Sequence, residues 1–175
     1  MTDGMLPSVG GGTTDKLDSF VADTTFTSGN TYSSYSDWVA KYAAACSLTS
    51  DDEKENTSTN TSLYADLWKL SDNYKKQIQL VIASNTAIVG ANADSGIKGA
   101  TISISGVSNV VLRNLNIRDA YDPFPHHEVK DDGVTSDGYN AQWDCITVQG
   151  DCSYIWIDHC TFEDTMSLAH VYTGG

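Results

Sequence analysis

Two groups of side chains have the residue types for chemistry. Asp158-His159 is an adjacent carboxylate and imidazole, the pair used for acid–base work. No Ser or Cys nucleophile sits in a matching motif, so the pair is expected to be structural, with a buried histidine held by hydrogen bonds. His126-His127-Glu128 places three metal-ligating residue types side by side. That spacing is too tight for one face of a helix or strand to present all three, so a solvated loop is expected. Asp119, Asp122, Asp131, Asp132 and Asp137 around it could attract calcium. The four cysteines (Cys46, Cys145, Cys152, Cys160) lack CxxC spacing and the nearby histidines of a structural zinc site. Three of them fall within sixteen residues, leaving open both a local disulfide such as Cys145–Cys152 and buried free thiols.

The elements that must position these residues change in texture along the chain. Residues 1–35 are rich in Gly, Ser and Thr and read as an extended, partly ordered lead-in around the apolar cluster Leu17 to Val21. A helix is expected from an N-cap at Ser36 through Cys46. Residues 47–61 are almost free of hydrophobes and read as a solvated loop. Ser62 to Gln77 reads as a second helix, with Leu63, Leu67, Leu70 and Tyr74 on one stripe. Helical spacing makes Trp38 and Trp68 packing residues, not sugar platforms. Residues 1–78 thus form an N-terminal region with two helices and a polar loop, distinct from 79–175.

From residue 79 onward the chain repeats itself. Ser84-Asn85-Thr86-Ala87-Ile88-Val89-Gly90 matches the segment starting at Ser108-Asn109, which in turn matches that starting at Ser153-Tyr154. The offsets are 24 and 45 residues, the longer one containing an irregular stretch at 120–142. Short strands in repeats of twenty-odd residues, with insertions at one corner, describe a solenoid of β-coils in which each coil covers its neighbour. Period-two alternation makes Ile102, Ile104, Val110, Leu112, Ile146, Val148, Ile155 and Ile157 the inward set. Arg113 and Asp158 then fall at equivalent outward positions, where a cross-strand pair contributes up to roughly 1 kcal/mol. Trp156 faces outward and is expected to pack under a loop. An antiparallel sandwich also alternates, but it does not explain the repeat.

Charge narrows the partners. Ten Lys+Arg against 23 Asp+Glu give a net charge of −13, with no basic stripe for phosphates or for an anionic membrane surface. No apolar run approaches the length of a membrane helix. Met1-Thr2-Asp3-Gly4 lacks the basic and apolar regions of a signal peptide, which implies a removed signal or a different natural start.

Five segments, in order, resemble polysaccharide lyase family 1, the pectate and pectin lyases. Ile155-Trp156-Ile157-Asp158-His159-Cys160-Thr161-Phe162 looks like the family's WIDH signature. Ser84-Asn85-Thr86 with Ile88-Val89-Gly90, and Gly106 to Asn114, resemble two of its strands. Tyr121-Asp122-Pro123-Phe124-Pro125 and Trp143-Asp144-Cys145-Ile146 resemble the pair that flanks a cleft loop, here residues 120–142. The resemblance covers about residues 79–165, and 13–78 look like the variable opening region of some bacterial members.

The resemblance implies an all-β fold: a right-handed parallel β-helix, incomplete at about three coils, preceded by a short α-helical and irregular N-terminal region. It implies a secreted protein and calcium-dependent eliminative cleavage of α-1,4-polygalacturonate (pectate). In that reaction the C5 proton leaves and the C4 glycosidic oxygen is expelled, while Ca2+ bridging the C6 carboxylate stabilises the developing anion. Calcium also reconciles a polyanionic substrate with a protein of net charge −13.

Asp144 is the position matched as a calcium ligand, the alternative being a turn-capping carboxylate. Strict alternation would turn Asp144 inward with Ile146 and Val148, so it is expected at the bend before the strand. Where some relatives have a second aspartate, this chain has Gln142. The family's downstream "DGxLDI" aspartates and its "RxPxxR" arginine base have no counterpart here. Lys98, Arg113, Arg118 and Lys130 do not match that arginine. The expectation is one metal ligand, no catalytic residue, inactivity alone, and the complementary C-terminal part of the β-helix as a partner. The competing readings are a non-catalytic β-helix that binds acidic glycans and a structural solenoid without sugar chemistry.

Overall fold

The computed structural model describes residues 15–48, 61–129 and 136–164. These residues fall into two compact units. One takes Lys75–Tyr121 and the chain from Trp143 onward, and the other takes the residues up to Tyr74 together with Asp122–Gln142.

The first unit is the solenoid. Its nine strands are β1 (Gln79–Val81), β2 (Thr86–Val89), β3 (Gly96–Lys98), β4 (Thr101–Ser105), β5 (Ser108–Arg113), β6 (Asn116–Arg118), β9 (Ile146–Gln149), β10 (Ser153–Asp158) and β11 (Thr161–Glu163). They stack as three parallel sheets, β1-β4-β9, β2-β5-β10 and β3-β6-β11, one strand of each sheet per coil. This is a parallel β-helix of three coils. Its register is that of the repeat: Ile88 lies opposite Leu112, Leu112 opposite Ile157, and Ile102 opposite Ile146. Ile102, Ile104, Val110 and Leu112 of the middle coil are fully buried, each worth about 1.5–3 kcal/mol of apolar burial. Val148 and Ile157 occupy the same inward positions in the third coil yet remain 46% and 41% exposed, because no described coil lies over them.

The corners explain the polar residues of the repeat. Asn85, Asn109 and Tyr154 stack at one corner with φ of 60°, 60° and 55°, and Asn114 and His159 stack at the next with φ of 55° and 50°. Left-handed backbone is costly for most side chains but tolerated by Asn. At the first corner Asn109 Nδ2 donates to Asn85 Oδ1 at 2.9 Å, a rung between coils. At the second, Asn114 Nδ2 donates to the Gly90 carbonyl at 2.9 Å, and a Cβ on Gly90 would come 1.9 Å from the Asn114 carbonyl oxygen. Only glycine allows that approach.

The second unit holds α1 (Asp15–Ala22), α2 (Tyr35–Leu48), most of α3 (Thr61–Ile78), and an antiparallel hairpin of β7 (His126–Val129) and β8 (Ser136–Asn140). The helix α1 was expected as extended chain. Leu17 and Val21, four apart, lie on one face and are both buried, and this packing overrides a Gly- and Ser-rich context. The helix cap is Ser34, whose Oγ accepts the Asp37 N–H at 3.1 Å, two residues before the expected Ser36. Trp38 is fully buried and stacks on Tyr42 at 5.1 Å, as its spacing implied. Buried Asp66 of α3 accepts from Ser28 Oγ, Asn30 Nδ2 and Tyr32 OH at 2.7, 2.8 and 2.7 Å, fixing the turn between α1 and α2. Burial, then Asp66 itself, pushes the Tyr32 hydroxyl well above its ordinary pKa, so it stays a donor. The polar stretch 49–60 lies outside the described residues.

Candidate functional site

Asp144 stands where the chain bends into β9. The Ile102 N–H donates to the Cys145 carbonyl at 3.0 Å, which fixes the backbone one residue beyond Asp144. Cys145 and Ile146 both pack against the apolar core, so alternation breaks between them. Asp144 is therefore outside the strand and exposed, at the bend the sequence required. On its other side Trp143 is half-buried, with Lys75 Nζ 6.0 Å from the ring centroid. Sequence reasoning missed that cation–π contact, because nothing in the spacing links residues 75 and 143.

Burial pushes the Cys145 thiol upward, and the carboxylates of Asp144, Asp119 and Asp164 add to this, opposed by a backbone hydrogen bond from Ala120. These carboxylates do not form a ready cage. Asp119 is buried, with Lys98 Nζ 3.9 Å from its Oδ2. Among the described residues no three acidic, His or Cys side chains converge on one point. Asp144 offers a hard oxygen of the right kind, but calcium takes six to eight such ligands. The described residues alone therefore do not fit a calcium ion.

The other candidates are resolved by geometry. His126 and His127 are buried, not solvated: His126 rests against Tyr64 and Trp68, with ring centroids 5.4 and 5.5 Å away, and His127 meets Tyr139 edge-on at 5.1 Å. The expected loop is a hairpin there, and the His127 N–H donates to Tyr42 OH at 3.1 Å. The Glu128 side chain and Asp131, Asp132 and the Asp137 side chain lie outside the described residues. Asp122 is no calcium ligand in waiting. Its buried carboxylate accepts the N–H of Phe124 and that of Gln142, both at 2.9 Å, and so joins the two ends of the 122–142 excursion. Asp-Pro-Phe is an Asx-turn sequence, which is the signal that could have found this clamp.

Asp158 and His159 are in contact at 2.6 Å, and Asp158 also meets Arg113 at 3.1 Å. The expected burial of His159 fails, since its side chain is 71% exposed at a coil corner. Trp156 faces outward as expected but is 64% exposed, not packed beneath a loop. Cys145, Cys152 and Cys160 are free thiols, which excludes the local disulfide in this structure. Their sulfurs approach backbone carbonyls of the preceding coil, Ile117, Ile104 and Leu112 respectively, at 3.6–3.9 Å.

Three stacked coils, an inserted segment between the second and third, and an exposed aspartate where the chain returns define a member of the parallel β-helix proteins. The chain belongs to the pectate lyase family, whose sequence model matches residues 54–170. It is 36% identical over 124 residues to a pectate lyase of Bacillus subtilis (strain 168), covering 71% of this chain and 28% of that protein. It is 35% identical over 102 residues to pectate lyase E of Dickeya chrysanthemi, covering 58% of this chain and 24% of the relative. The chain thus spans under a third of these relatives' length. A solved pectate lyase bound to a hexasaccharide superposes with a TM-score of 0.57 at 31% identity, over 73% of this chain and 30% of the other. A pectate lyase from Acidovorax avenae subsp. citrulli superposes with a TM-score of 0.69 over 88% of this chain and 31% of that one; at 23% identity it supports the fold alone.

Proposed function

We propose that these residues form the opening coils of a secreted, calcium-dependent pectate lyase that cleaves polygalacturonate by β-elimination, with Asp144 as one calcium ligand. The observation that carries this reading is the exposed carboxylate of Asp144 at the bend into β9, in a chain of the pectate lyase family. Calcium would supply charge neutralisation at the substrate carboxylate. What this chain's own residues do is narrower. The three-coil stack fixes the strand after Asp144, and the core contacts of Cys145 and Ile146 hold the bend so that the carboxylate points away from the interior.

The proton-abstracting base and the other ligands are expected from a further stretch of β-helix, supplied in the same chain or as a complementary piece. The inward positions of the third coil, Val148, Ile157 and Phe162, are all exposed and suit such a neighbour. The test is an assay of the 175-residue chain on polygalacturonate, following absorbance of the unsaturated product with and without calcium. No turnover is expected from the chain alone, and turnover is expected when the proposed further stretch of β-helix is supplied. Robust activity of the chain alone would overturn the assignment of its base to other residues. Activity of the completed protein that ignores calcium would overturn the metal reading.

A further inference from the structure

We propose that Lys75 is a positioning residue for Asp144: its ammonium, seated on the Trp143 ring, holds the short bend that carries the Asp144 carboxylate. The inference deepens the reading of Asp144 given above and rests on it only for its bearing on function.

The bend is two residues long. On one side the Gln142 N–H donates to Asp122 at 2.9 Å, and on the other the Cys145 carbonyl accepts the Ile102 N–H at 3.0 Å. Between these anchors lie Trp143 and Asp144 alone. The Asp144 side chain is exposed and makes no hydrogen bond or ion pair among the described residues. Its direction is therefore inherited from the backbone, and so from whatever holds Trp143.

Trp143 is not held by its own polar atom. The ring is half-buried, and its Nε1 is buried without a hydrogen-bond partner among the described residues, an arrangement that costs stability. The charged partner on the ring is the Lys75 ammonium, 6.0 Å from the centroid, within the range at which a cation is drawn to an indole face. Lys75 is half-buried and makes no hydrogen bond or ion pair among the described residues, so its charge is not engaged elsewhere. It stands in the last turn of α3, where the free carbonyls of the helix end favour a cation.

The sheet register brings these two residues together. Lys75 lies four residues before β1 begins at Gln79, and Trp143 lies three before β9 begins at Ile146. Between β1 and β9 runs β4, which pairs Thr101 with Gln79 and Ile102 with Ile146. The contact thus passes from the first coil to the third, joining two strands that are not paired with each other. It closes the leading end of the sheet at the point where Asp144 projects.

The test is native-state amide exchange and ¹⁵N spectra of the 175-residue chain and two variants, without calcium. Lys75→Met keeps the length of the side chain and removes its charge; Lys75→Arg keeps the charge. Lys75→Met should move the Asp144 amide signal and speed exchange of the Ile102 amide, which is bonded to Cys145, roughly two- to fivefold. The Gly106 amide, bonded to Gln149 at the far end of the same strand pair, should exchange as before. Lys75→Arg should restore both the signal and the rate. The proposal is overturned if Lys75→Met leaves Asp144 and Ile102 unmoved, or if Lys75→Arg is as disturbed as Lys75→Met. Equal acceleration at Gly106 also overturns it, since Lys75 would then stabilise the coils at large. No arm contains the metal, so failure here is distinct from failure of Asp144 as a calcium ligand.

Discussion

Arg113 and Asp158 lie opposite each other on adjacent strands of one parallel sheet, with Nε of the first 3.1 Å from Oδ2 of the second. The same carboxylate meets His159 Nδ1 through its other oxygen at 2.6 Å. Arg113 is more than half exposed, so solvent screens the pair. A double-mutant cycle of Arg113→Gln and Asp158→Asn should give a coupling of about 0.2–1 kcal/mol that shrinks at high salt. Urea denaturation of the four proteins at two salt concentrations measures it. A coupling above 2 kcal/mol would show that the pair is shielded from solvent by something not seen in these contacts.

That pair was legible in the sequence because register in a solenoid follows from the repeat alone: once Ser108 aligns with Ser153, Arg113 must align with Asp158. The same reasoning found the buried set Ile102, Ile104, Val110 and Leu112. It could not find the exposure of His159 or Trp156, since parity gives the face of a strand but not what covers it. The Asp122 clamp and the Asp66 knot were hidden for a different reason. Each joins residues 20 to 38 positions apart with no period between them, and only tertiary packing selects them. Asp144 fell between these cases. Its place at a bend followed from parity, and its companions did not.

Asn109 combines a left-handed backbone with an inter-coil hydrogen bond to Asn85. The two contributions can be separated. Asn109→Gly keeps the backbone at ease and loses the rung, so it should cost about 0.5–1.5 kcal/mol. Asn109→Ala loses the rung and also strains φ, adding about 1 kcal/mol more. Thermal or urea unfolding of both variants ranks them. If alanine is tolerated better than glycine, the corner is not held in the left-handed region in solution.

Asp122 should make stability depend on pH in an unusual direction. Burial pushes its carboxyl up to about 6, against the two backbone hydrogen bonds that pull it down. An unfolded aspartate titrates near 3.9, so between these values the folded chain holds a proton that the unfolded chain has released. This contribution is complete below about pH 4 and is lost as pH rises through about 6, a fall of roughly 2–3 kcal/mol at most. Asp122→Asn has no such titration. It is also less stable at its own best pH, because an amide NH2 must face one of the two N–H donors now accepted by oxygen. Urea midpoints of both proteins from pH 4 to 7 test this, the difference between them being read so that other carboxylates cancel. Parallel pH profiles would show that Asp122 is ionised in the fold across the range.

Asp144 tests the functional reading most directly, because its side chain is exposed and its removal should spare the fold. Asp144→Asn keeps the shape of the bend and removes one negative charge. The unfolding midpoint should therefore stay where it is, since the core contacts that hold the bend belong to Cys145 and Ile146. Calcium binding should respond instead. With no three metal-ligating side chains converging among the described residues, the isolated chain should bind calcium no tighter than about millimolar, and the substitution should weaken even that by roughly tenfold. In a protein that carries the proposed further stretch of β-helix, the same substitution should raise the calcium concentration needed for half-maximal lyase activity by a similar or larger factor. Calorimetric titration of the chain and activity against calcium for the completed protein supply the two measurements. If the calcium requirement of the completed protein is unchanged by Asp144→Asn, this carboxylate is a turn residue and the metal is held elsewhere.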